Sequence, residues 1–304
     1  MIQVVIFSFN RALQLDSLIE SILRYDNSKS FETIVLYSYS SNVYKKSYDL
    51  LKKKYPSIVW KEENTEKIPK LNFDFNYFHL HNWYWWLKYP MLRMKKSNFK
   101  RLLLKTIEES KHDFLMFLTD DSLFYREIII PQESIQRMID TSGKTSLSLR
   151  HGVNLKGGVY TIEKDVIQWD IKDNDEKTDW GYPFSVDGHI YLKNKILPAL
   201  KKTIFNNPNT LESNLCSHVK KRQLFPYLIA NRESCLIGFE LNRVQDVFPN
   251  NHLNISSEIL NNYFLNNYSL DIDYCLEKDF QFHPKIKSIK VIKGNEKITL
   301  ISTN

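Results

Sequence analysis

Glycine, cysteine and long apolar runs are scarce in this sequence, and each scarcity excludes a class of protein. Only 8 of the 304 residues are glycine and none precedes Gly143, so the glycine-rich phosphate loops of P-loop and dinucleotide-binding proteins have no counterpart. The 3 cysteines are widely spaced and odd in number, which excludes a cysteine metal site and favours a reducing compartment. No run of about 18 apolar residues exists, so we expect no membrane-spanning helix.

The composition is that of a globular protein with a basic surface. The sequence is 42% hydrophobic, 13% aromatic and 25% charged, which offers enough apolar surface to offset the entropy of ordering the chain. Its net charge of +7 suits nucleotide phosphates, anionic lipid or nucleic acid, and by itself does not distinguish them. The charge is dispersed in short pairs such as Lys45 and Lys46, so we expect no nucleic-acid partner. Apolar residues follow Met1 directly, which predicts a first strand rather than a signal peptide and a cytoplasmic location.

Strand and helix signals alternate along the chain. In the first half we predict strands at 3–7, 33–36, 57–60 and 114–118, and helices at 13–23, 44–54 and 96–110. In the second half we predict strands at 145–149, 158–162, 166–169 and 183–192, and helices at 193–202, 211–221 and 256–265. This alternation predicts an α/β fold, a Rossmann-like mixed sheet flanked by helices. We expect one domain over residues 1–248, with halves 1–125 and 126–248, and a small C-terminal extension over 249–304.

Two adjacent carboxylates, Asp120 and Asp121, stand at the end of the apolar strand predicted at 114–118. Ligands of open α/β sheets bind outside the carboxyl ends of strands. Adjacent carboxylates repel each other unless a cation compensates, and Mg²⁺ takes one or two carboxylates together with substrate phosphates. This chemistry fits a nucleotide diphosphate whose leaving charge must be neutralised as a glycosyl bond breaks. The structural alternative is a helix cap or a turn, since Asp favours both.

The opening residues 4–11 and the segment 98–121 resemble the family 2-like bacterial glycosyltransferases of the GT-A type. In that family the first strand ends in a loop that contains Asn-Arg and holds the nucleotide base. The resemblance therefore implies donor contacts for Ser8, Asn10 and Arg11. It covers roughly residues 2–245, and the tail beyond Val247 matches no family that we can name.

The same resemblance assigns roles to the Asp pair. It implies that Asp120 faces the ribose or phosphate of the donor and that Asp121 binds Mn²⁺ or Mg²⁺, although Ser122 stands where many members carry a third Asp. It further implies a nucleotide-diphosphate sugar donor and a saccharide or lipid-linked acceptor. The pathway that it implies is bacterial surface polysaccharide synthesis.

An inverting transferase needs a general base for the acceptor hydroxyl, and Glu212 is our first candidate. It lies at the head of a predicted helix. Its separation from the Asp pair along the sequence is similar to the separation between the metal and base motifs of the family that the chain resembles. The alternative is that Glu212 satisfies the helix dipole beside a cap at Asn209 or Thr210. Asp187 is the rival base, and its alternative is a tight turn with Gly188.

Further polar and aromatic residues complete the predicted cleft. Arg150 could bind the diphosphate bidentately or form a surface ion pair. Asp179 and Trp180 are predicted to bind the acceptor, with Trp180 stacked on a sugar ring; core packing is the alternative for this tryptophan. The aromatic segment between Phe73 and Tyr89 could touch a membrane surface peripherally, or could pack in the core.

Three other functions are alternatives to the predicted inverting glycosyltransferase. A sugar nucleotidyltransferase would need a glycine-rich loop near the N-terminus, which the sequence lacks. A non-catalytic carbohydrate-binding protein would suit the aromatic content, but it leaves the Asp pair and Glu212 unexplained. A retaining glycosyltransferase would not need Glu212 as a base, so the stereochemistry of the product distinguishes it from an inverting enzyme.

Overall fold

The protein is described by a computed structural model that covers residues 1–64, 97–242, 253, 255–275, 282–284, 286 and 288–301. Its strands are β1 (Ile2–Phe9), β2 (Phe31–Ser38), β3 (Val59–Glu62), β4 (Phe114–Thr119), β5 (Ser122–Phe124), β6 (Thr145–Ser148), β7 (Thr161–Glu163), β8 (Val166–Asp170), β9 (His189–Leu192), β10 (Tyr227–Asn231), β11 (Leu236–Gly238), β12 (Ser269–Leu270), β13 (Ser288–Lys293) and β14 (Glu296–Ile301). Its helices are α1 (Ala12–Tyr25), α2 (Asn42–Lys54), α3 (Phe99–Glu109), α4 (Gln132–Asp140), α5 (Lys193–Lys202), α6 (Pro208–Arg222), α7 (Ser257–Leu265) and α8 (Ile272–Cys275).

Among the described residues, nine strands form one mixed sheet in the order β3-β2-β1-β4-β9-β6-β10-β8-β7. The first four strands are parallel to one another. Strand β9 then runs antiparallel between β4 and β6, and β10 is parallel to β6. The hairpin of β7 and β8 closes this edge in antiparallel pairing. The predicted α/β fold with a mixed sheet flanked by helices is therefore confirmed.

Strand β1 lies at the centre of the parallel half and is buried on both faces. Val4 and Ile6 pack with α1 in one hydrophobic cluster, whereas Val5 and Phe7 pack with α3 in a second cluster on the opposite face. Successive side chains of a strand point to opposite faces, so an uninterrupted apolar run is what a sheet covered on both sides requires. The burial of β1 fixes where its carboxyl end leaves the core, and the candidate site begins there.

Two elements differ from the sequence prediction in ways that shape the site. The strand predicted at 183–192 is regular only over His189–Leu192, because Gly188 adopts φ +76, and a Cβ there would lie 2.1 Å from the Leu236 side chain. Helix α6 begins earlier than predicted, at Pro208, because the side chain of Asn207 accepts a hydrogen bond from the Thr210 N–H in a capping box.

The C-terminal region packs on the same core as the rest of the chain. Helix α7 contacts α1 and α2, and the Ser47 hydroxyl donates to Asn261 Oδ1 at 2.7 Å. Ile289 and Val291 of β13 belong to the hydrophobic cluster that contains α1. The predicted boundary near residue 249 falls in a stretch outside the described residues, so the division into a domain and an extension stays a prediction.

Within the described ranges, no helix combines the length and the apolar character that a membrane crossing needs. The segment between Phe73 and Tyr89, for which we predicted peripheral membrane contact, lies outside the described residues.

Candidate functional site

The Asp pair follows β4, directly beside the end of β1, and an arginine from the β1 loop lies between the two carboxylates. Arg11 Nη1 is 3.0 Å from Asp120 Oδ1 and 2.6 Å from Asp121 Oδ2. The side chains of Arg11, Asp120 and Asp121 are 7%, 5% and 17% exposed. Parallel pairing of β1 with β4 brings these residues together, because the carboxyl ends of parallel neighbours meet at one edge of the sheet. The repulsion expected between the two carboxylates is thus offset by an internal cation.

The remaining two nitrogens of the Arg11 guanidinium donate hydrogen bonds to Asn242, which lies much later in the chain. Its Nε donates to Asn242 Oδ1 at 2.8 Å and its Nη2 donates to the Asn242 carbonyl at 2.5 Å. Gln14 Nε2 donates to the same Oδ1 at 3.1 Å. Burial alone would lower the pKa of Arg11, but the two carboxylates outweigh it and raise that pKa. The guanidinium is therefore a permanent, fixed charge under the site.

The two carboxyl groups differ in exposure and in acidity. Burial is the main cause that raises the pKa of Asp120 to about 6, and Arg11 limits the rise. Burial opposes ionisation of Asp121 as well, but Arg11 holds the pKa of that carboxyl below its usual value. The Phe9 N–H donates to Asp120 Oδ2 at 3.1 Å, so this side chain is enclosed by the β1 loop. Asp121 is the carboxylate that stays ionised and can be reached from solvent.

The other residues predicted to hold the donor, Ser8 and Asn10, make hydrogen bonds inside the protein that stabilise the β1 loop. Ser8 Oγ lies 2.7 Å from the Tyr48 hydroxyl. Asn10 has φ 56, a left-handed conformation that Asn tolerates, and its amide exchanges two hydrogen bonds with Ser40 of 2.8 and 2.9 Å. Both side chains are buried, which leaves them little surface for a nucleotide. Sequence reasoning missed Phe9, which is 39% exposed at the end of an otherwise buried strand. An aromatic residue two positions past the apolar run at 4–7 was the available signal.

A second group of charged residues meets the end of β4 through Thr119. Thr119 Oγ1 donates to Asp187 Oδ1 at 2.6 Å, and Arg150 Nη1 donates to Asp187 Oδ2 at 3.2 Å. Arg150 follows β6 and is buried, whereas the Asp187 carboxylate is partly exposed. The structure thus brings together Asp187 and Arg150, which the sequence predicted separately. It places them beside the strand end that carries the Asp pair.

Glu212 lies on the first turns of α6 and faces this second group. The Val186 N–H donates to Glu212 Oε1 at 3.1 Å, and the side chain is half-buried. Burial and, after it, the negative charge of Asp187 raise the pKa of Glu212 to about 7. The cap of α6 is Asn207, so the alternative that Glu212 serves beside a cap at Asn209 or Thr210 is wrong.

Residues after β11 complete the surroundings of Arg150, and no local pattern predicts them. Arg150 Nη2 donates to the Phe282 carbonyl at 3.0 Å and lies 3.3 Å from His283 Nε2. His283 Nδ1 is 2.5 Å from Glu240 Oε1. Burial would lower the pKa of His283, but the bond to Glu240 raises it. The predicted C-terminal extension therefore contributes side chains to the site.

The two residues predicted to bind the acceptor lie in different environments. Trp180 is 1% exposed, its ring stacks on Tyr160 at 5.2 Å, and its Nε1 donates to the Lys156 carbonyl at 3.1 Å. No face of the ring is open to a sugar, so the prediction of a stacking platform does not agree with its position, and core packing was the better alternative. The carboxylate of Asp179 is exposed and lies 4.0 Å from His283 Nε2, beside the Arg150 group.

The predicted divalent cation was tested against the donor atoms present. In the part of the chain that the structure describes, no three His, Cys, Asp or Glu side chains converge as a ready metal cage. Asp121 fits a site of another kind, in which one carboxylate holds Mg²⁺ or Mn²⁺ and the substrate phosphates and water supply the other ligands. Its ionised, partly exposed carboxylate meets that requirement, whereas the enclosed Asp120 does not.

The chain is similar in sequence to a curated glycosyltransferase. It is 24% identical to the bifunctional glycosyltransferase pgtA of Dictyostelium discoideum, in an alignment that covers 82% of this chain and 33% of pgtA. The chain thus spans about a third of the length of this curated relative. No protein-family model matches the sequence.

Comparison with solved structures returns distant likenesses. Staphylococcus aureus TarS has a TM-score of 0.45 at 11% identity, over 77% of this chain and 36% of TarS. Its fragment 1–349 in complex with UDP has a TM-score of 0.44 at 12% identity, over 78% of this chain and 60% of the fragment. The mannosyltransferase PcManGT of Pyrobaculum calidifontis, in complex with GDP-Man and Mn²⁺, has a TM-score of 0.34 at 10% identity, over 69% and 50% of the two chains. In sequence, the chain is therefore similar to a glycosyltransferase, the class of enzyme that its opening residues and Asp pair resemble.

Proposed function

We propose that this chain is a GT-A type glycosyltransferase. It moves a sugar from a nucleotide-diphosphate donor to a hydroxyl of a saccharide or lipid-linked acceptor, with inversion at the anomeric carbon. The similarity to pgtA supports the class of enzyme. The observation that carries the proposal is the hydrogen bond from Thr119 to Asp187. Thr119 ends β4, directly before the Asp pair, and the charge of Asp187 acts on Glu212. The proposed donor residues and the candidate base thereby lie around the same end of β4.

On the donor side, the residues at the ends of β1 and β4 would bind the nucleotide diphosphate of the donor. Asp121 would hold Mn²⁺ or Mg²⁺, which when bound supplies positive charge to the diphosphate. Arg11 keeps the paired carboxylates from repelling each other and so maintains the shape of the β1 loop. The exposed ring of Phe9 at that loop offers a surface on which the nucleotide base stacks.

On the acceptor side, Glu212 is the proposed base. It takes the proton of the acceptor hydroxyl as that oxygen attacks the anomeric carbon and the bond to the diphosphate oxygen breaks. A pKa of about 7 leaves a large share of Glu212 ionised near neutrality and still basic enough to accept a proton. Asp187 is the poorer acceptor, because Arg150 and Thr119 already bind its two oxygens. Its charge serves to raise the pKa of Glu212.

A thermal-shift panel with UDP, GDP, CDP and TDP, each with and without Mn²⁺, tests the donor side. A ligand that binds only the folded state at a hundred times its Kd stabilises that state by about 2.7 kcal/mol. We expect one nucleotide to raise the Tm, with a larger effect in Mn²⁺ that Asp121→Asn abolishes. The exposed Asp173→Asn is the matched control and is expected to respond like the wild type. A panel without any shift contradicts the proposal and favours a non-catalytic carbohydrate-binding protein.

The configuration of the product tests the acceptor side. With the donor identified by the panel, ¹H NMR of early product is expected to show the anomer opposite to that of the donor, and Glu212→Gln is expected to abolish turnover while donor binding persists. Product of retained configuration would remove the need for a base and would identify a retaining enzyme.

A further inference from the structure

A chain of charged contacts runs from the C-terminal region to the proposed base. Glu240 contacts His283 at 2.5 Å, His283 contacts Arg150 at 3.3 Å, and Arg150 contacts Asp187 at 3.2 Å. We propose that His283 is a positioning residue, which orients the guanidinium of Arg150 and thereby sets the charge around Asp187 and Glu212. The inference rests on the proposed function, in which Glu212 is the base.

The contacts of His283 define its tautomer. A guanidinium has only N–H donors, so the ring nitrogen Nε2 beside Arg150 Nη2 must be the acceptor of that pair. The proton of the neutral ring is then on Nδ1, from which it is donated to Glu240 Oε1. A charged ring would point an Nε2–H at the cation of Arg150. At a pH above the raised pKa of His283, Glu240 thus holds the neutral ring in the tautomer whose Nε2 can accept from Arg150.

The backbone at Gly238 approaches this pair closely. A Cβ at Gly238 would lie 2.8 Å from both Glu240 Oε1 and His283 Nδ1. The Gly238 N–H donates to the Phe282 carbonyl at 3.1 Å, which ties the segment before His283 to β11. That carbonyl also accepts from Arg150 Nη2. The backbone and the imidazole together present two acceptors to one nitrogen of Arg150.

The planar guanidinium transmits this restraint to the other side of the arginine. Nη1 and Nη2 share one rigid plane, so holding Nη2 fixes the direction in which Nη1 meets Asp187. The positive charge of Arg150 lowers the pKa of Glu212, whereas burial and Asp187 raise it. Without the contact to His283, the guanidinium of Arg150 can turn away from Asp187 and Glu212. Its positive charge then acts less on Glu212, and the pKa of Glu212 rises further. Among the described residues, Asp179 is a further charged neighbour, with its carboxylate 4.0 Å from His283 Nε2.

Two substitutions separate the contacts of His283. In His283→Asn, the amide can still reach Glu240 but not Arg150; in His283→Gln, the longer amide carries an oxygen to Arg150. We expect His283→Asn to lower kcat at least tenfold with an unchanged donor KM, and to move the acid limb of the pH–rate profile up by at least half a unit. We expect His283→Gln to keep kcat within about threefold and the limb in place. Equal kcat losses in both variants with an unmoved limb would overturn the proposal, as would a fully active His283→Asn.

A measurement without turnover distinguishes this proposal from the proposed function. The ¹⁵N and ¹³C NMR shifts of the His283 ring, recorded on the wild-type protein at pH 8 without nucleotide, are expected to show the Nδ1–H tautomer. An Nε2–H tautomer or an imidazolium overturns the positioning role, whatever the enzyme does. A wild-type protein that shows the Nδ1–H tautomer but binds and turns over no nucleotide sugar would refute the proposed function and leave the geometry at His283 intact.

Discussion

Replacing Glu212 by glutamine is expected to inactivate the protein and stabilise it at the same time. Glutamine has nearly the same shape, and its Oε1 can still accept from the Val186 N–H. The substitution removes the charge that burial and Asp187 disfavour. It also removes the group that would accept the proton of the acceptor hydroxyl. A residue retained only for stability would show the opposite effect on unfolding.

The pKa of Glu212 sets the size and the pH range of the effect. A rise from 4.5 to about 7 corresponds to up to about 3 kcal/mol that opposes ionisation in the folded state. Solvent screening at a half-buried side chain reduces this to about 1–2 kcal/mol. Below pH 4.5 the carboxyl is protonated in both states and costs nothing. Between pH 4.5 and 7 the unfolded chain releases the proton first, so the penalty grows with pH and is complete above 7.

Urea unfolding of both proteins at pH 5 and pH 8.5 measures the difference. We expect Glu212→Gln to exceed the wild type by about 1–2 kcal/mol at pH 8.5, with only a small gain at pH 5. Glu133→Gln, at an exposed carboxylate on α4, serves as the control. An equal difference at both pH values would show that the carboxylate is not disfavoured by its surroundings. Wild-type turnover of the variant would refute its role as base.

Four other substitutions test the rest of the site. Arg11→Met leaves buried carboxylates without their cation and should lower the free energy of unfolding by about 3–5 kcal/mol in urea. Gly188→Ala forces an alanine into φ +76 against Leu236 and should cost about 2 kcal/mol or more in the same assay. Phe9→Ala should weaken nucleotide binding about tenfold by calorimetry, because base stacking is worth about 1–3 kcal/mol, with little change in Tm. Asp121→Asn should abolish the dependence of nucleotide binding on Mn²⁺; retained dependence would place the cation elsewhere.

The parts of the fold that the sequence predicted are those decided by local pattern. The apolar run at 114–118 marks β4 because a buried strand needs no polar position, and the Asp pair then marks its end. The helix that carries the proposed base Glu212 could be predicted because residues 208–210 are typical of a helix start, although α6 begins three residues earlier than predicted. Both inferences need only residues that are close together in the chain.

The remaining features depend on partners far apart in sequence. The guanidinium of Arg11 donates two hydrogen bonds to Asn242, 231 residues later, and no local signal relates the two residues. Trp180 stands among polar neighbours, yet strand β8 and Tyr160 bring aromatic rings to both sides of it. His283 reaches Arg150 only because Gly238 lets its segment approach β11.

The bond between Arg11 and Asn242 has a consequence for how the protein is made. Ribosomes add about 5–20 residues per second, so Asn242 is synthesised roughly 10–50 seconds after Arg11. During that interval β4 and β9 are synthesised, so the strands beside β1 are present before the residue that binds the arginine from its other side. The proposed donor site is therefore complete only after Asn242 has been synthesised, although Arg11, Asp120 and Asp121 are all present much earlier.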